Sequence, residues 1–318
     1  MKKIVITGSS GFIGYYLSKK LLDSGFNVIG VDNHSDNYDL DLKKHRQKIL
    51  EKYVNFRFLN LDINNLDMLD GCYDLAINLA AQPGVRISPE KEHLYEHSNV
   101  NGFKEFCNFF VKQKVKRIIY ASSSAVYADS NLAKFNESKS ELKPKSLYGM
   151  SKLANEEHAL KIAKSTDTKI IGFRFFSVYG PLGRPDMAYY SFTNSIKKGE
   201  TIYLNNDGLM YRDMTYIDDI VDGIYSAIKL ISKESYKSNH EIFNLGNDAP
   251  IQTIKVLSTI ELKLRKKTKI QHMNSNNESY RTHADITKAK NLLGYDPKVK
   301  FDEGIERFLD WHNHYENL

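Results

Sequence analysis

Cysteine is scarce in this chain, two in 318 residues, and what is missing narrows the reading before any motif is considered. Cys72 and Cys107 lack the spacing of a metal-ligand set and make no disulfide framework, which fits a reducing compartment. Long apolar runs are missing too. After Met1-Lys2-Lys3 only Ile4, Val5 and Ile6 precede Thr7-Gly8-Ser9-Ser10-Gly11, a strand too short for a signal core, and no run elsewhere reaches membrane-spanning length. A soluble, cytoplasmic protein with no membrane partner is expected. Nor is charge of one sign concentrated: 45 basic and 39 acidic residues leave +6. The densest basic run, Arg265-Lys266-Lys267, is short and reads as a solvated helix end, so no nucleic-acid partner is expected. Internal repeats and low-complexity segments are absent.

What is present is alternation. Lys3 to Thr7 is a short apolar strand, followed by Gly8, Gly11 and Gly14 in a G-x-x-G-x-x-G turn with Phe12 and Ile13 inside it, and then a helix from Tyr15 to Ser24. Strand, glycine turn and helix in that order place backbone N–H groups and a helix N-terminus where a pyrophosphate binds. A second strand, Asn27 to Val31, ends at Asp32, 18 residues after Gly14. An acid there accepts both ribose hydroxyls of an adenosine and repels a 2′-phosphate, so NAD is expected over NADP.

The spacing continues with strands over Asn55 to Asn60, Leu75 to Leu79 and Arg117 to Ala121, and a long helix over Glu92 to Lys112. This predicts an α/β protein with a doubly wound, parallel, Rossmann-type sheet, whose ligands sit beyond the carboxyl ends of the strands. Asp62 and Ile63 follow the third strand and face the adenine. Leu79, Ala80, Ala81 and Gln82 follow the fourth, their small side chains leaving room for a flat cofactor. Ser122, Ser123 and Ser124 follow the fifth. Tyr148 and Lys152, four apart on a helix predicted from Leu147 to Ser165, share one face. A cation near a phenol favours the phenolate, and lowering a pKa of ~10 to ~7 takes ~4 kcal/mol, which one close cation and an oxidised nicotinamide can supply.

After Arg174 to Phe175, read as strand six, strict alternation ends. Helices are expected over Tyr189 to Lys198, Asp218 to Ser232, Ile251 to Leu264 and Phe301 to Glu316, with short strands near Ile202 and Ile242. The chain divides into a dinucleotide domain, 1–175, joined by strand-returning segments from later in the chain, and a smaller, mostly helical substrate lobe, 176–318. The substrate lies between them. Asn274 to Asn277 is expected to be a mobile loop, and Trp311 and Tyr315 to pack the last helix.

Together the stretches TGSSGFIG (Thr7 to Gly14), DNHSDNYDLDLKKHR (Asp32 to Arg46), LAAQPGVRIS (Leu79 to Ser88), YASSSAVY (Tyr120 to Tyr127), YGMSK (Tyr148 to Lys152), RFFSVYGPLGRPDMA (Arg174 to Ala188) and RDMTYIDDI (Arg212 to Ile220) cover nearly the whole chain. The chain thereby resembles the extended short-chain dehydrogenase/reductase family and its nucleotide-sugar 4-epimerases, especially the UDP-glucuronate 4-epimerases. The resemblance implies Tyr148 as base, Ser123 as the catalytic hydroxyl, and Lys152 as the residue that tunes Tyr148 and holds the nicotinamide ribose. It adds Asn33 and Asn99 to the cofactor contacts, and Ser124, Ser177, Arg212 and Asp213 to those of the UDP-sugar. A retained NAD, a UDP-sugar substrate, no metal and a homodimer are further implications.

Two positions depart from the family pattern. Ala128 stands where many relatives have glycine, and Asn277-Glu278-Ser279 replaces the usual Gly-Asp-Val before Thr282-His283-Ala284-Asp285. A uronic acid needs its carboxylate held, and Arg184 in GRPDMA is preferred to Arg86 for that. An epimerase for a neutral UDP-hexose or UDP-N-acetylhexosamine is the first alternative, a UDP-uronate decarboxylase the second, and a catalytically silent dinucleotide-binding scaffold the non-enzymatic one. A 4,6-dehydratase is disfavoured because Ser124 and Ala125 stand where it needs an acid and a base.

Overall fold

The computed structural model describes residues 2–85, 87–127, 134–274 and 279–315. In chain order, β1 (Lys3–Thr7), α1 (Phe12–Asp23), β2 (Asn27–Asp32), α2 (Leu40–Leu50), β3 (Phe56–Asn60), β4 (Leu75–Asn78), α3 (Gly102–Lys112), β5 (Arg117–Ser123), α4 (Leu147–Ser165) and β6 (Lys169–Phe175) build the first half. There follow β7 (Ser177–Tyr179), α5 (Ala188–Lys198), β8 (Ile202–Asn205), β9 (Tyr211–Tyr216), α6 (Ile217–Ile231), β10 (His240–Leu245), β11 (Pro250–Gln252), α7 (Thr253–Leu264), β12 (Ile270–Met273), α8 (Thr287–Leu293) and α9 (Phe301–Tyr315). Seven strands form one parallel sheet in the order β10-β6-β5-β4-β1-β2-β3. The order reverses beside β1, and that is where a crevice opens in a doubly wound sheet.

Register puts the site on one edge. Thr7 pairs with both Val31 and Asn78, so the chain leaves β1, β2 and β4 at the same level and delivers Gly8, Asp32 and Leu79 together. Ser123, opposite Phe175, ends β5 on that edge. Gly8 holds φ 76°, and a Cβ on it would lie 2.6 Å from the Ala80 backbone nitrogen, so the turn can reach β4 only without a side chain. A Cβ on Gly14 would lie 2.0 Å from the Gly8 carbonyl oxygen, so the third glycine lets α1 close on the turn itself.

Several elements differ from the sequence expectation. Helix α2 escaped notice because its buried stripe, Leu42, Arg46 and Leu50, has a charged middle member that breaks the apolar period. Asp39 caps it, accepting from the N–H groups of Asp41 and Leu42. Strand β6 starts at Lys169, five residues earlier than expected, because Gly172 and Arg174, both buried in the structure, interrupt the apolar run in the sequence. The helix read over 92–112 is broken into a π-helical stretch, Tyr95–Asn101, and α3 from Gly102, where a Cβ would meet Ile63 at 2.3 Å. Helix α7 begins at Thr253 because Pro250–Gln252 pairs with β9. Helix α8, seven residues long, is too short to show a period.

The second half is less helical than expected. A three-stranded sheet, β11-β9-β7, and a parallel pair, β12 and β8, stand beside its helices. It also gives elements back to the first half: β10 completes the large sheet, and α6 packs on α1. Trp311 and Tyr315 stack with ring centroids 5.0 Å apart and pack on the core. Arg86, Ala128 and the loop from 275 to 278 lie outside the described residues. Among the described residues no helix is long and apolar enough to cross a membrane.

Candidate active site

A single cavity of about 1460 Å³ runs along the carboxyl edge of the sheet and continues against the second half of the chain. Its size suits a dinucleotide and a nucleotide sugar side by side. At one end lie Gly8, Gly11, Phe12, Ile13 and Gly14. Helix α1 starts on Gly11 with no side-chain cap and no acid in its first turn, leaving an N-terminus that complements an anion. Asp32 is fixed by two backbone donors, Ser10 N–H at 3.0 Å and His34 N–H at 2.9 Å. Asn33 donates to Asp62 at 2.8 Å. Burial works against the Asp62 carboxylate, but hydrogen bonds from Asn64, His97 and Asn33 outweigh it and keep the carboxyl below its usual range. Ile63, Leu79, Ala80, Ala81 and Gln82 complete this wall.

The middle of the cavity holds Ser123, Ser124, Tyr148, Lys152, Ser177 and Arg184. Helix α4 presents Tyr148, Lys152 and Glu156 on one face, and its start is capped by Ser146, which accepts from Gly149 N–H at 3.0 Å. Below the face, Glu156 receives both arms of Arg174, at 2.9 and 2.7 Å, and the Ser122 hydroxyl. The other side of Arg174 donates to the Tyr127 hydroxyl, which donates to Asn244. Helix α4 is thus tied to β5, β6 and β10 immediately beneath the reactive groups.

The electrostatics depart from the sequence argument. Burial, the largest influence, pushes the Tyr148 phenol up, and the Arg184 charge and a hydrogen bond with Ser123 act in the opposite direction. The cation expected to do this was Lys152. Its ammonium instead donates to the Ala121 carbonyl at 3.1 Å and lies 5.8 Å from the Tyr148 ring centre. Lys152 is 2% exposed, and burial brings its ammonium down to about 8. Arg184 forks onto Asp186, Nε at 3.0 Å, while lining the cavity near Tyr148.

Two assigned contacts move. Asn99 does not line the cavity. It is buried behind it, accepting from Gln82 N–H at 2.7 Å and donating to the Gln82 carbonyl and to Ser151, because the π-helical turn aims it at the chain after β4. Asp213, fully buried, also faces away from the cavity. Its carboxylate accepts from the N–H groups of Asn247, Asp248 and Ala284 and joins β9 to two loops. Burial raises its carboxyl. Arg212 does line the cavity and donates to the Ser279 carbonyl at 2.9 Å. Lys43 was missed. It lines the cavity near Asp32, with its ammonium on Ser35 and Asn37, and burial lowers it to about 8. A lysine on a polar helix carries no sequence signal of that placement.

Residues 4–246 match the NAD dependent epimerase/dehydratase family, and the chain belongs to that family. It is 42% identical to an uncharacterized protein of Methanocaldococcus jannaschii, over 98% of this chain and 96% of that one. It is 36% identical to UDP-glucuronate 4-epimerase 2 of Arabidopsis thaliana, over 98% of this chain and 76% of that one. Among solved structures, the UDP-glucuronic acid 4-epimerase of Bacillus cereus, in complex with UDP-glucuronic acid and NAD, superposes with a TM-score of 0.90 at 29% identity. That superposition covers 98% of this chain and 99% of the other.

A buried ammonium gives a signed expectation. Because the folded state lowers the Lys152 pKa to about 8, the unfolded chain holds the extra proton between that value and the ordinary lysine pKa of ~10.4, and stability contributed by this residue rises with pH across that window. Lys152→Met should therefore be more stable than the parent at pH 7 by about 1–3 kcal/mol, an advantage that shrinks from pH 8 to 10. Urea unfolding at several pH values, at equal cofactor content, checks this; a variant less stable at pH 7 contradicts it.

Proposed function

We propose that the protein inverts C4 of a UDP-hexuronic acid, converting UDP-glucuronate to UDP-galacturonate with a retained NAD. The observation that carries this is Arg184: a guanidinium lines the cavity within electrostatic reach of Tyr148, where an acidic sugar needs a cation. The neutral hydroxymethyl group of a UDP-hexose forms no ion pair with it. The turn Gly8 to Gly14, Asp32, Asn33 and the Asp62 to Gln82 wall fit NAD. The uncapped α1 N-terminus meets the pyrophosphate and the Asp32 carboxylate the adenosine ribose.

When bound, the nicotinamide supplies reversible acceptance of the hydrogen at C4. Tyr148, hydrogen-bonded with Ser123, takes the proton from O4 and later returns it. Burial raises the Tyr148 phenol while the Arg184 charge and the Ser123 hydrogen bond oppose it, and a bound nicotinamide cation would act in the same direction as these two. Lys152 holds the nicotinamide ribose, and the glycine turn and Asp32 fix the cofactor while the 4-keto sugar turns over. That intermediate is a β-keto acid, prone to losing carbon dioxide, and Arg184 holds its carboxylate. Ser177, Ser124 and Arg212 contact the nucleotide sugar.

The dinucleotide part is 1–175 together with β10 and α6, and the remainder holds the sugar nucleotide. The setting is the cytoplasm, in keeping with two unpaired thiols. A homodimer through α3 and α4 would cover the exposed Met150 and Leu160 of α4. Met150→Asp should shift the protein to monomers in sedimentation velocity, and an unchanged profile rejects this face.

Two variants test the chemistry against a panel of UDP-sugars followed by product NMR. Tyr148→Phe should abolish turnover while NAD stays bound, since only the ionisable oxygen is lost; appreciable residual activity reassigns the base. Arg184→Ala should lower kcat/KM for UDP-glucuronate by about 30-fold or more, because a bound carboxylate without its partner loses roughly 2–5 kcal/mol. Some product should then be a decarboxylated pentose. Faster inversion of UDP-glucose or UDP-N-acetylglucosamine by the parent protein favours the neutral reading and returns Arg184 to the diphosphate.

A further inference from the structure

Arg46 is fully buried, and nothing in the proposed chemistry uses it. Its guanidinium makes five hydrogen bonds, all to carbonyl or hydroxyl oxygens, with no carboxylate sharing them. Nε donates to the Leu182 carbonyl at 3.1 Å, and Nη2 to Leu182 and Gly183 at 2.5 and 3.1 Å. Nη1 donates to the Ser10 carbonyl at 3.0 Å and to the Tyr38 hydroxyl at 2.7 Å. A guanidinium held only by neutral acceptors in the interior is a poor source of stability, which directs attention to what it connects.

It connects the two halves of the site. Ser10 lies inside the glycine turn between β1 and α1. Leu182 and Gly183 are the two residues directly before Arg184. That segment has little freedom otherwise: Leu182 holds φ 53°, and a Cβ on Gly183 would lie 1.7 Å from the Tyr189 hydroxyl. The last two carbonyls before Arg184 are therefore set by a planar fork whose other arm grips the dinucleotide turn. Only arginine offers that fork, since an ammonium cannot span three carbonyls in one plane.

We propose that Arg46 is a positioning residue for the sugar carboxylate. By clamping Leu182 and Gly183 to Ser10 it sets the reach of Arg184, and thereby the preference for an acidic over a neutral sugar and the retention of the keto acid. This rests on the reading of Arg184 given above.

The test is a double-mutant cycle on the NAD-loaded protein, reading Kd for UDP-glucuronate and UDP-glucose by calorimetry and the pentose fraction by NMR. Arg46→Lys, compared with the parent at equal NAD content, should reduce the preference for UDP-glucuronate by about tenfold and raise the pentose fraction. In an Arg184→Ala background the same substitution should change the preference by no more than about twofold, because Arg46 acts through Arg184. Where Arg46→Lys does not fold, Tyr38→Phe, which removes one acceptor of the fork, decides the matter with a smaller shift, about threefold, in the same direction. Equal weakening toward both sugars, or a preference shift that persists without Arg184, overturns the proposal. If Arg184→Ala itself leaves preference and products unchanged, it is the carboxylate reading that fails, and the inference falls with it.

Discussion

The buried carboxylate of Glu156 is the constraint on which the site depends. It lies one turn beyond Lys152 on α4 and collects the fork of Arg174 from β6 and the hydroxyl of Ser122 from β5. Removing either charge would leave the other buried and unpaired, so the arrangement of α4 on the sheet is set with little tolerance, whatever the pair adds to net stability. Ser122 is the neighbour of Ser123, and Glu156 shares a face with Tyr148. The distance between the hydroxyl and the phenol is thus inherited from a contact made beneath both.

That network extends into the second half of the chain. Tyr127 passes the contact to Asn244 on β10, and Asn244 donates to the carbonyls of Phe135 and Asp285. On the other flank, Asn99 ties the segment after β4 to Ser151 on α4. Asn99 and Asp213, read as ligand contacts from the sequence, and Arg46 are internal braces around the cavity. Each satisfies backbone N–H or carbonyl groups that irregular loops would otherwise leave unpaired in the interior.

The cavity itself combines two kinds of polar environment. At the dinucleotide end, an open helix N-terminus stands near a carboxylate held by backbone donors, a pairing suited to a phosphate beside a diol. In the middle, a phenol raised by burial lies within electrostatic reach of a guanidinium. The opposition of burial and positive charge at Tyr148 leaves its ionisation responsive to what occupies the cavity.

Much of this was legible in the order of residues. Short apolar runs ending in small or polar residues located β1 to β5, the glycine spacing located the turn, and the four-residue step from Tyr148 to Lys152 fixed a shared face, because these depend only on local geometry. The sequence could not show α2, whose stripe is interrupted by Arg46, nor the break of the helix at Gly102, since each follows from a neighbour distant in the chain. Nor could it tell which cation acts on Tyr148. Lys152 is one turn away in sequence but is drawn to the Ala121 carbonyl, whereas Arg184, 36 residues on, is brought beside the phenol by the packing of the two halves. Local pattern determined the sheet and the face that Tyr148 and Lys152 share. Only the tertiary structure decided which charges those side chains feel, because electrostatic influence follows distance through space and not separation along the chain.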